Sequence, residues 1–310
     1  MRQILRALLL LVLVFVGVVY LAYRKDIRAA RERVLAGSRV IKNQCGQIEY
    51  ATLGEGSPVL VLHGTSGGWD QGIASARELV EHGFQIIAPS RFGYLRTPLA
   101  ADPSPSAEAD TWACFLDSLN IRRLPIIAYS AGAAPTLQLA LRHPDRVSAI
   151  VLIVPGAGGI TGGPAEAPPR LLLEALYRFD FPTWGVMRAA PKVMYYIVAV
   201  PASLVPTLPP EETAKLDEMI SIILPVSQRR LGVLNEGKTQ GAGIQYPLEQ
   251  VRTPTLLISA EDDLYRTLPV ARRAARIIPN ANLIEFPTGG HVLLGRGREI
   301  WPAVAAFIRQ

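Results

Sequence analysis

A serine stands at position 130 in the run Leu124-Pro125-Ile126-Ile127-Ala128-Tyr129-Ser130-Ala131-Gly132-Ala133. An apolar strand pattern ends there and a helical pattern begins, so the serine is expected on a sharp strand-to-helix turn. Such a turn forces its central residue into strained backbone angles, and the residues two positions away must be small to avoid collision. Ala128 and Gly132 meet that demand. A hydroxyl presented this way is a candidate nucleophile for acyl transfer, whereas an ordinary helix N-cap serine needs no such neighbours.

A serine nucleophile needs a base, and the chain holds only four histidines, His63, His82, His143 and His291. His82 precedes Gly83 and His143 precedes Pro144, positions that suit helix ends away from the turn. His63 closes an apolar run ahead of a glycine-rich loop and suits a structural hydrogen bond. His291 follows Thr288-Gly289-Gly290 in a loop after the last strand pattern, where a base could reach the serine. The base in turn needs an acid to hold its tautomer. The run Glu261-Asp262-Asp263 follows a strand that precedes the histidine loop, and any of the three could supply it. Acyl transfer also requires backbone N–H donors for the developing oxyanion. Ala131, directly after the serine, supplies one, and the second is expected from the loop His63-Gly64-Thr65-Ser66-Gly67-Gly68, at Thr65 or else at Ser66.

The elements that must position these groups alternate. Strands are expected at Gln47–Thr52, Val59–Leu62, Gln85–Ala88, Leu124–Ala128 and Ala149–Val154, with helices at Gln71–Glu81, Ser106–Leu119 and Ala131–Arg142. The rhythm stops between Pro155 and about Arg252 and returns with strands Thr255–Ser259 and Asn282–Phe286 and helices Leu268–Ile278 and Arg298–Ile308. Strand-helix alternation at this period implies a mainly parallel sheet covered on both faces, and an insertion near the strand ends reads as a helical cap. The chain is therefore divided into an N-terminal segment, 1–40, a core, 41–155 with 252–310, and a cap, 156–251.

The formal charge of +6 belongs to the N-terminus. Residues 1–40 carry eight basic and two acidic side chains, and the remainder carries 24 of each, so nucleic-acid binding by the main body has no support. Ala7 to Tyr23 is uninterruptedly apolar, about the minimum of roughly 17–25 residues that cross a bilayer. No small-x-small cleavage pattern follows at the right distance, so an uncleaved single-pass anchor is expected rather than a signal peptide. Residues 7–23 are expected to take no part in the fold. Residues 24–40 read as a charged juxtamembrane segment, helical from Asp26 to Ala36, that connects the anchor to the body, and a chain starting near Gly37 is expected to be soluble and active. The charge count across the span favours the body on the cytoplasmic side. Cys45 and Cys114, far apart and without ligand spacing, read as two free thiols or half-buried small apolar residues rather than as a disulfide or a redox pair. No metal or cofactor motif is visible, since the loop at 64–68 lacks the Lys-Ser/Thr of a phosphate loop.

The segments HGTSGGWDQG (63–72), PSRFGYLRTP (89–98), AYSAGAAPTLQLALRHPDRV (128–147), LLISAEDDLYRTLP (256–269) and GGHVLLG (289–295) make the chain from about Gly46 to Gln310 resemble a cap-bearing α/β-hydrolase. The nucleophile motif departs from the usual G-x-S-x-G in having Ala128 at its first position. The resemblance implies a serine hydrolase with the chain order Ser, Asp, His. It also implies a post-strand loop of the form small-x-x-Asp, which counted from Ala260 puts the acid at Asp263. Asp262 and Asp263 cannot both face the histidine if the strand alternation continues. The catalytic set expected is thus Ser130, Asp263 and His291, with Thr65 and Ala131 for the oxyanion.

Carboxylesterases, lipases, lactonases, iminopeptidases and C–C hydrolases share this fold, so it does not settle the substrate. The leading expectation is hydrolysis of a lipophilic carboxylic ester, with cap residues such as Leu171, Leu172, Leu173, Tyr177, Phe179, Phe181, Trp184, Met187, Met194, Tyr195 and Tyr196 lining an acyl pocket or simply packing the cap on the sheet. A C–C hydrolase or lactonase acting on an anionic substrate would instead call on Arg91 or Arg188. The remaining alternative is a non-catalytic binding protein on the same scaffold.

Overall fold

The computed structural model describes residues 1–156, 158–160, 170–241 and 244–310. Its centre is one sheet of eight strands: β1 (Arg39–Asn43), β2 (Gly46–Leu53), β3 (Ser57–Leu62), β4 (Phe84–Pro89), β5 (Leu124–Tyr129), β6 (Val147–Ile153), β7 (Thr255–Ala260) and β8 (Ala281–Phe286). The spatial order is β1-β2-β4-β3-β5-β6-β7-β8. β1 and β2 pair antiparallel, β2 meets β4 antiparallel, and every pair from β4 to β8 is parallel. The parallel strands are runs such as Val59-Leu60-Val61-Leu62 and Ile150-Val151-Leu152, each residue buried to 0 % exposure. Apolar side chains on both faces demand cover on both faces, and two separate apolar clusters supply it.

The covering helices are α2 (Trp69–Ala76), α3 (Pro105–Ser118), α4 (Ala133–Arg142), α10 (Thr267–Ile277) and α11 (Gly297–Ile308), after α1 (Arg2–Ala36) at the N-terminus. Between β6 and β7 lie α5 (Arg170–Arg178), α6 (Asp180–Ala189), α7 (Pro191–Ile197), α8 (Pro210–Ser221) and α9 (Arg230–Gly241). Among the described residues this insertion adds no strand to the sheet. The helix expected over 71–81 is broken, continuing from α2 as a 3-10 turn over Arg77–His82.

Three features depart from the sequence expectations. β1 replaces a stretch read partly as juxtamembrane, because the five residues Arg39-Val40-Ile41-Lys42-Asn43 are a half-exposed edge strand whose pattern is too short to stand out. The hairpin that β1 forms with β2 carries Cys45 onto α3, where it is joined to Cys114 in a disulfide with Cα atoms 5.8 Å apart, so the reading of two free thiols is wrong. Finally, residues 24–36 are part of the fold. α1 is a single helix, long and apolar enough to cross a membrane, with Leu8 to Val16 exposed. Its second half, however, buries Ile27 and Val34 and enters the cap cluster with Trp184, Met194 and Leu216. The charged side chains of this connector find partners there: Asp26 accepts from Trp184 Nε1 at 2.8 Å, and Arg31 pairs with Asp180 at 3.1 Å.

Candidate active site

β3, β5, β7 and β8 run parallel, so the loops that follow them open at one edge of the sheet. Those loops carry Thr65, Ser130, Asp263 and His291 respectively. Ligand sites of open α/β sheets lie along that carboxyl edge.

Ser130 follows β5 at φ +47°, in the left-handed region that side chains with a Cβ avoid. Its neighbours explain how the strain is held. A Cβ on Gly132 would stand 2.8 Å from the Leu62 carbonyl oxygen, so only glycine lets the turn press against the end of β3. A Cβ on Gly64 would stand 3.0 Å from Ser130 Cβ, so the glycine loop comes directly alongside the serine. Ser130 O accepts from Gly156 N at 3.0 Å, which ties the turn to the segment after β6.

Asp263 is 3 % exposed and its Oδ2 faces His291 Nδ1 at 2.9 Å. The same oxygen accepts from Thr267 Oγ1, which also meets Ser259 Oγ at 2.8 Å, and Oδ1 accepts from Tyr265 N at 2.9 Å. Burial pushes this carboxyl up, but the bonds from His291 and Thr267 outweigh it and hold it below the usual carboxylate range. An ionised Asp263 fixes the proton on Nδ1 and leaves Nε2 as the basic nitrogen. Asp262 does something different: its Oδ1 accepts from Gly290 N at 2.8 Å and so shapes the loop that carries the histidine. Glu261 is exposed.

His63, 0 % exposed, sits behind the glycine loop. Its Nδ1–H donates to Gly64 O at 2.7 Å and its Nε2 accepts from Arg91 N at 2.9 Å, a tautomer set by these two partners. Burial, and then the Arg91 charge, push its pKa well below the ordinary histidine value, so it is a neutral prop. His82 ends the 3-10 turn after α2 and His143 ends α4, where it meets Asp110 at 2.7 Å. In the glycine loop, Thr65 is exposed and its N–H meets no acceptor among the described residues. Ser66, at φ +62°, is hydrogen-bonded to Tyr177 of α5. Ala131 is buried in the first turn after the serine, where helix N–H groups have no partner within the helix.

The two cations named for an anionic substrate are both engaged. Arg91 is buried and paired with Glu108 at 2.9 Å and with Glu236 of α9. Arg188 lies on the outside of the cap against Asp26 of α1. The cap side chains divide: Trp184 and Met194 are buried in the cap itself, and Met187, Tyr195 and Tyr177 are half-buried. Leu171, Phe179, Phe181 and Tyr196 are exposed, and the side chains of Leu172 and Leu173 lie outside the described ones.

Two residues that the sequence did not single out also shape the site. Tyr265 packs its ring edge-on to His291, with centroids 4.8 Å apart, and its hydroxyl reaches Ile197 O at 2.5 Å. Ala199, at φ +55°, accepts from His291 N at 3.2 Å and from Leu264 N at 3.5 Å, so one cap carbonyl joins the acid loop to the histidine loop. Tyr265 has no sequence signal beyond its nearness to the acidic run, and Ala199 has none.

Residues 57–192 match the family model described as alpha/beta hydrolase fold. A 2-hydroxy-6-oxononadienedioate/2-hydroxy-6-oxononatrienedioate hydrolase of Paraburkholderia xenovorans is 29 % identical over 262 residues, covering 79 % of this chain and 84 % of that one. A putative carbamate hydrolase of Klebsiella pneumoniae is 28 % identical over 239 residues, covering 76 % and 85 %. Among solved structures, an alpha/beta hydrolase fold protein from Nakamurella multipartita superposes with a TM-score of 0.73 at 26 % identity, over 88 % of this chain and 99 % of that one.

Proposed function

Because the chain belongs to the α/β-hydrolase superfamily, we propose that it is a serine hydrolase that cleaves a lipophilic carboxylic ester through an acyl-enzyme. The observation that carries this reading is a strained Ser130 and a buried Asp263–His291 pair, brought to one edge of the sheet by parallel strands. Ser130 Oγ attacks the ester carbonyl and its proton passes to His291 Nε2, while Asp263 stabilises the imidazolium that results. The tetrahedral oxyanion takes the N–H groups of Thr65 and Ala131. Collapse expels the alcohol with the proton from His291, and water, deprotonated by the same nitrogen, then releases the acid.

The exposed apolar side chains of the cap, Leu171, Phe179 and Tyr196 among them, together with Leu264 and Tyr265 beside the histidine, favour an acyl chain over a charged substrate. The name of the Paraburkholderia relative specifies a dicarboxylate and so prompts the second reading, a C–C hydrolase. That reading needs a cation facing the serine, and Arg91 and Arg188 are both spent on carboxylates of the protein. The exposed half of α1 supports a membrane anchor. The disulfide argues for a body on the oxidising side of that membrane, against the leaning of the charge count.

A fluorophosphonate probe tests the chemistry: wild-type protein is labelled and Ser130→Ala is not, with unchanged far-ultraviolet dichroism. Labelling of the variant, or none of the wild type, removes the reading. A panel of p-nitrophenyl esters of increasing chain length then reads the preferred acyl length.

A further inference from the structure

The end of α1 meets the glycine loop through one carboxylate. Arg33, in the last turn of α1, donates from Nη1 to Asp70 Oδ2 at 2.6 Å, and from Nη2 to Leu224 O at 2.6 Å and Ile222 O at 3.2 Å. Arg229, wholly buried, donates to the same carboxylate from Nη2 at 2.8 Å and from Nη1 at 3.1 Å. Arg229 Nη1 also holds Gly67 O at 2.5 Å, and its Nη2 shares the Ile222 carbonyl at 2.6 Å. Gly67 N in turn donates to Gly64 O at 3.2 Å, closing the turn that carries Thr65. A second contact stands apart from the charges: a Cβ on Gly37, just after α1, would lie 2.1 Å from the Trp69 ring, so the helix ends directly on the residue that follows the loop.

Burial by itself would raise the Asp70 carboxyl, but Arg229 and Arg33 outweigh it and hold it below the usual carboxylate range, so the node is two cations about one anion. Without Arg33, Asp70 retains only Arg229 as a cation and two cap carbonyls lose a donor. Arg229 keeps its own partners, Ile223 O at 2.8 Å among them, but the Asp70 carboxylate it grips is then held from one side only, and as that carboxylate shifts Arg229 and the Gly67 carbonyl on its Nη1 shift with it. An oxyanion donor acts over roughly 2.7–3.1 Å, so a shift of a fraction of that range at Thr65 matters.

We propose that Arg33 is a positioning residue, clamping Asp70 with Arg229 so that the docking of the N-terminal helix on the body sets the place of the Thr65 N–H. The proposal rests on the reading of Ser130 as nucleophile and Thr65 as oxyanion donor. Movement of α1 relative to the body is then transmitted to the site.

The test uses the full chain in detergent micelles, with Arg33→Gln, Arg33→Lys and, as a control on the same helix, the exposed Arg28→Gln. Hydrogen exchange of the Gly64–Gly68 amides is expected to quicken in Arg33→Gln, less in Arg33→Lys, and not in Arg28→Gln. With a p-nitrophenyl ester, kcat of Arg33→Gln should fall on the order of 10-fold with KM within about twofold. Affinity for a trifluoromethyl ketone, which forms a hemiketal oxyanion, should fall in parallel, while affinity for the matching alcohol holds. Arg33→Lys should restore part of both and remains the test should Arg33→Gln fail to fold. Unaltered loop exchange, or a lower kcat without loss of ketone affinity, overturns the proposal. A wild-type protein that forms no ketone adduct refutes the Ser130 reading instead, and loop exchange still decides whether Arg33 holds the loop.

Discussion

The ring of Tyr23, on the apolar N-terminal helix, lies edge-on to that of Phe181 in the cap, with centroids 5.2 Å apart. The helix therefore has two halves with different surroundings: Leu8 to Val16 is bare, and from Tyr23 onward it is built into the cap. A chain beginning at Leu21 should keep the stability of the body, whereas one beginning at Gly37 forfeits the burial of Ile27 and Val34, roughly 3–6 kcal/mol at about 1.5–3 kcal/mol for each. Denaturant midpoints of the two shortened chains compare them directly. Equal midpoints would mean that residues 21–36 are passive.

Asp262 and Asp263 separate by what they touch. Asp263→Asn leaves His291 in the wrong tautomer and is expected to lower turnover by on the order of 10³–10⁴. Asn at 262 still offers an oxygen to Gly290 N, so Asp262→Asn should lose less than about 10-fold. Rates with one activated ester decide it, and comparable losses would return the acid to its neighbour.

The Cys45–Cys114 bridge pins the edge hairpin to α3 across a sequence separation of 69. Reduction, or Cys45→Ser with Cys114→Ser, should lower stability by about 2–4 kcal/mol. Protein taken from cells with an alkylating agent present should carry no label until it is reduced. Prompt labelling of both cysteines would place the body in a reducing compartment.

His63 is neutral and buried, and its pKa lies well below 6.5 in the folded protein because burial, and then Arg91, oppose the charge. The unfolded chain binds a proton near pH 6.5 that the folded one refuses. Stability is thus fully present above that pH and declines as pH falls below it, until the folded pKa is reached. One such proton gives a slope of about 1.4 kcal/mol per pH unit. Unfolding free energies of wild type and His63→Asn between pH 7 and 5 should differ in slope by that amount, and parallel curves would contradict it.

Much of the site was legible because its demands are local. A strained turn selects small residues at 128 and 132, and parallel strands announce themselves as unbroken apolar runs. With four histidines in the chain, elimination left one in a suitable loop. The choice of Asp263 over Asp262 already needed the resemblance, and the different groups they hold on the same loop, His291 Nδ1 and Gly290 N, appear only in three dimensions.

What the tertiary structure alone decided is every pairing between groups far apart in the chain. Cys45 with Cys114, Arg33 with Asp70, Arg91 with Glu236 and Asp26 with Trp184 span separations that no local pattern encodes. The charged stretch 24–36 read as a mere connector because its sequence shows which charges it carries, not which buried carboxylates and carbonyls stand within their reach. Sequence determines which groups must be hidden or paired; the packing of distant elements determines with whom, and here it joined the membrane-length helix to the cap and to the loop beside the serine.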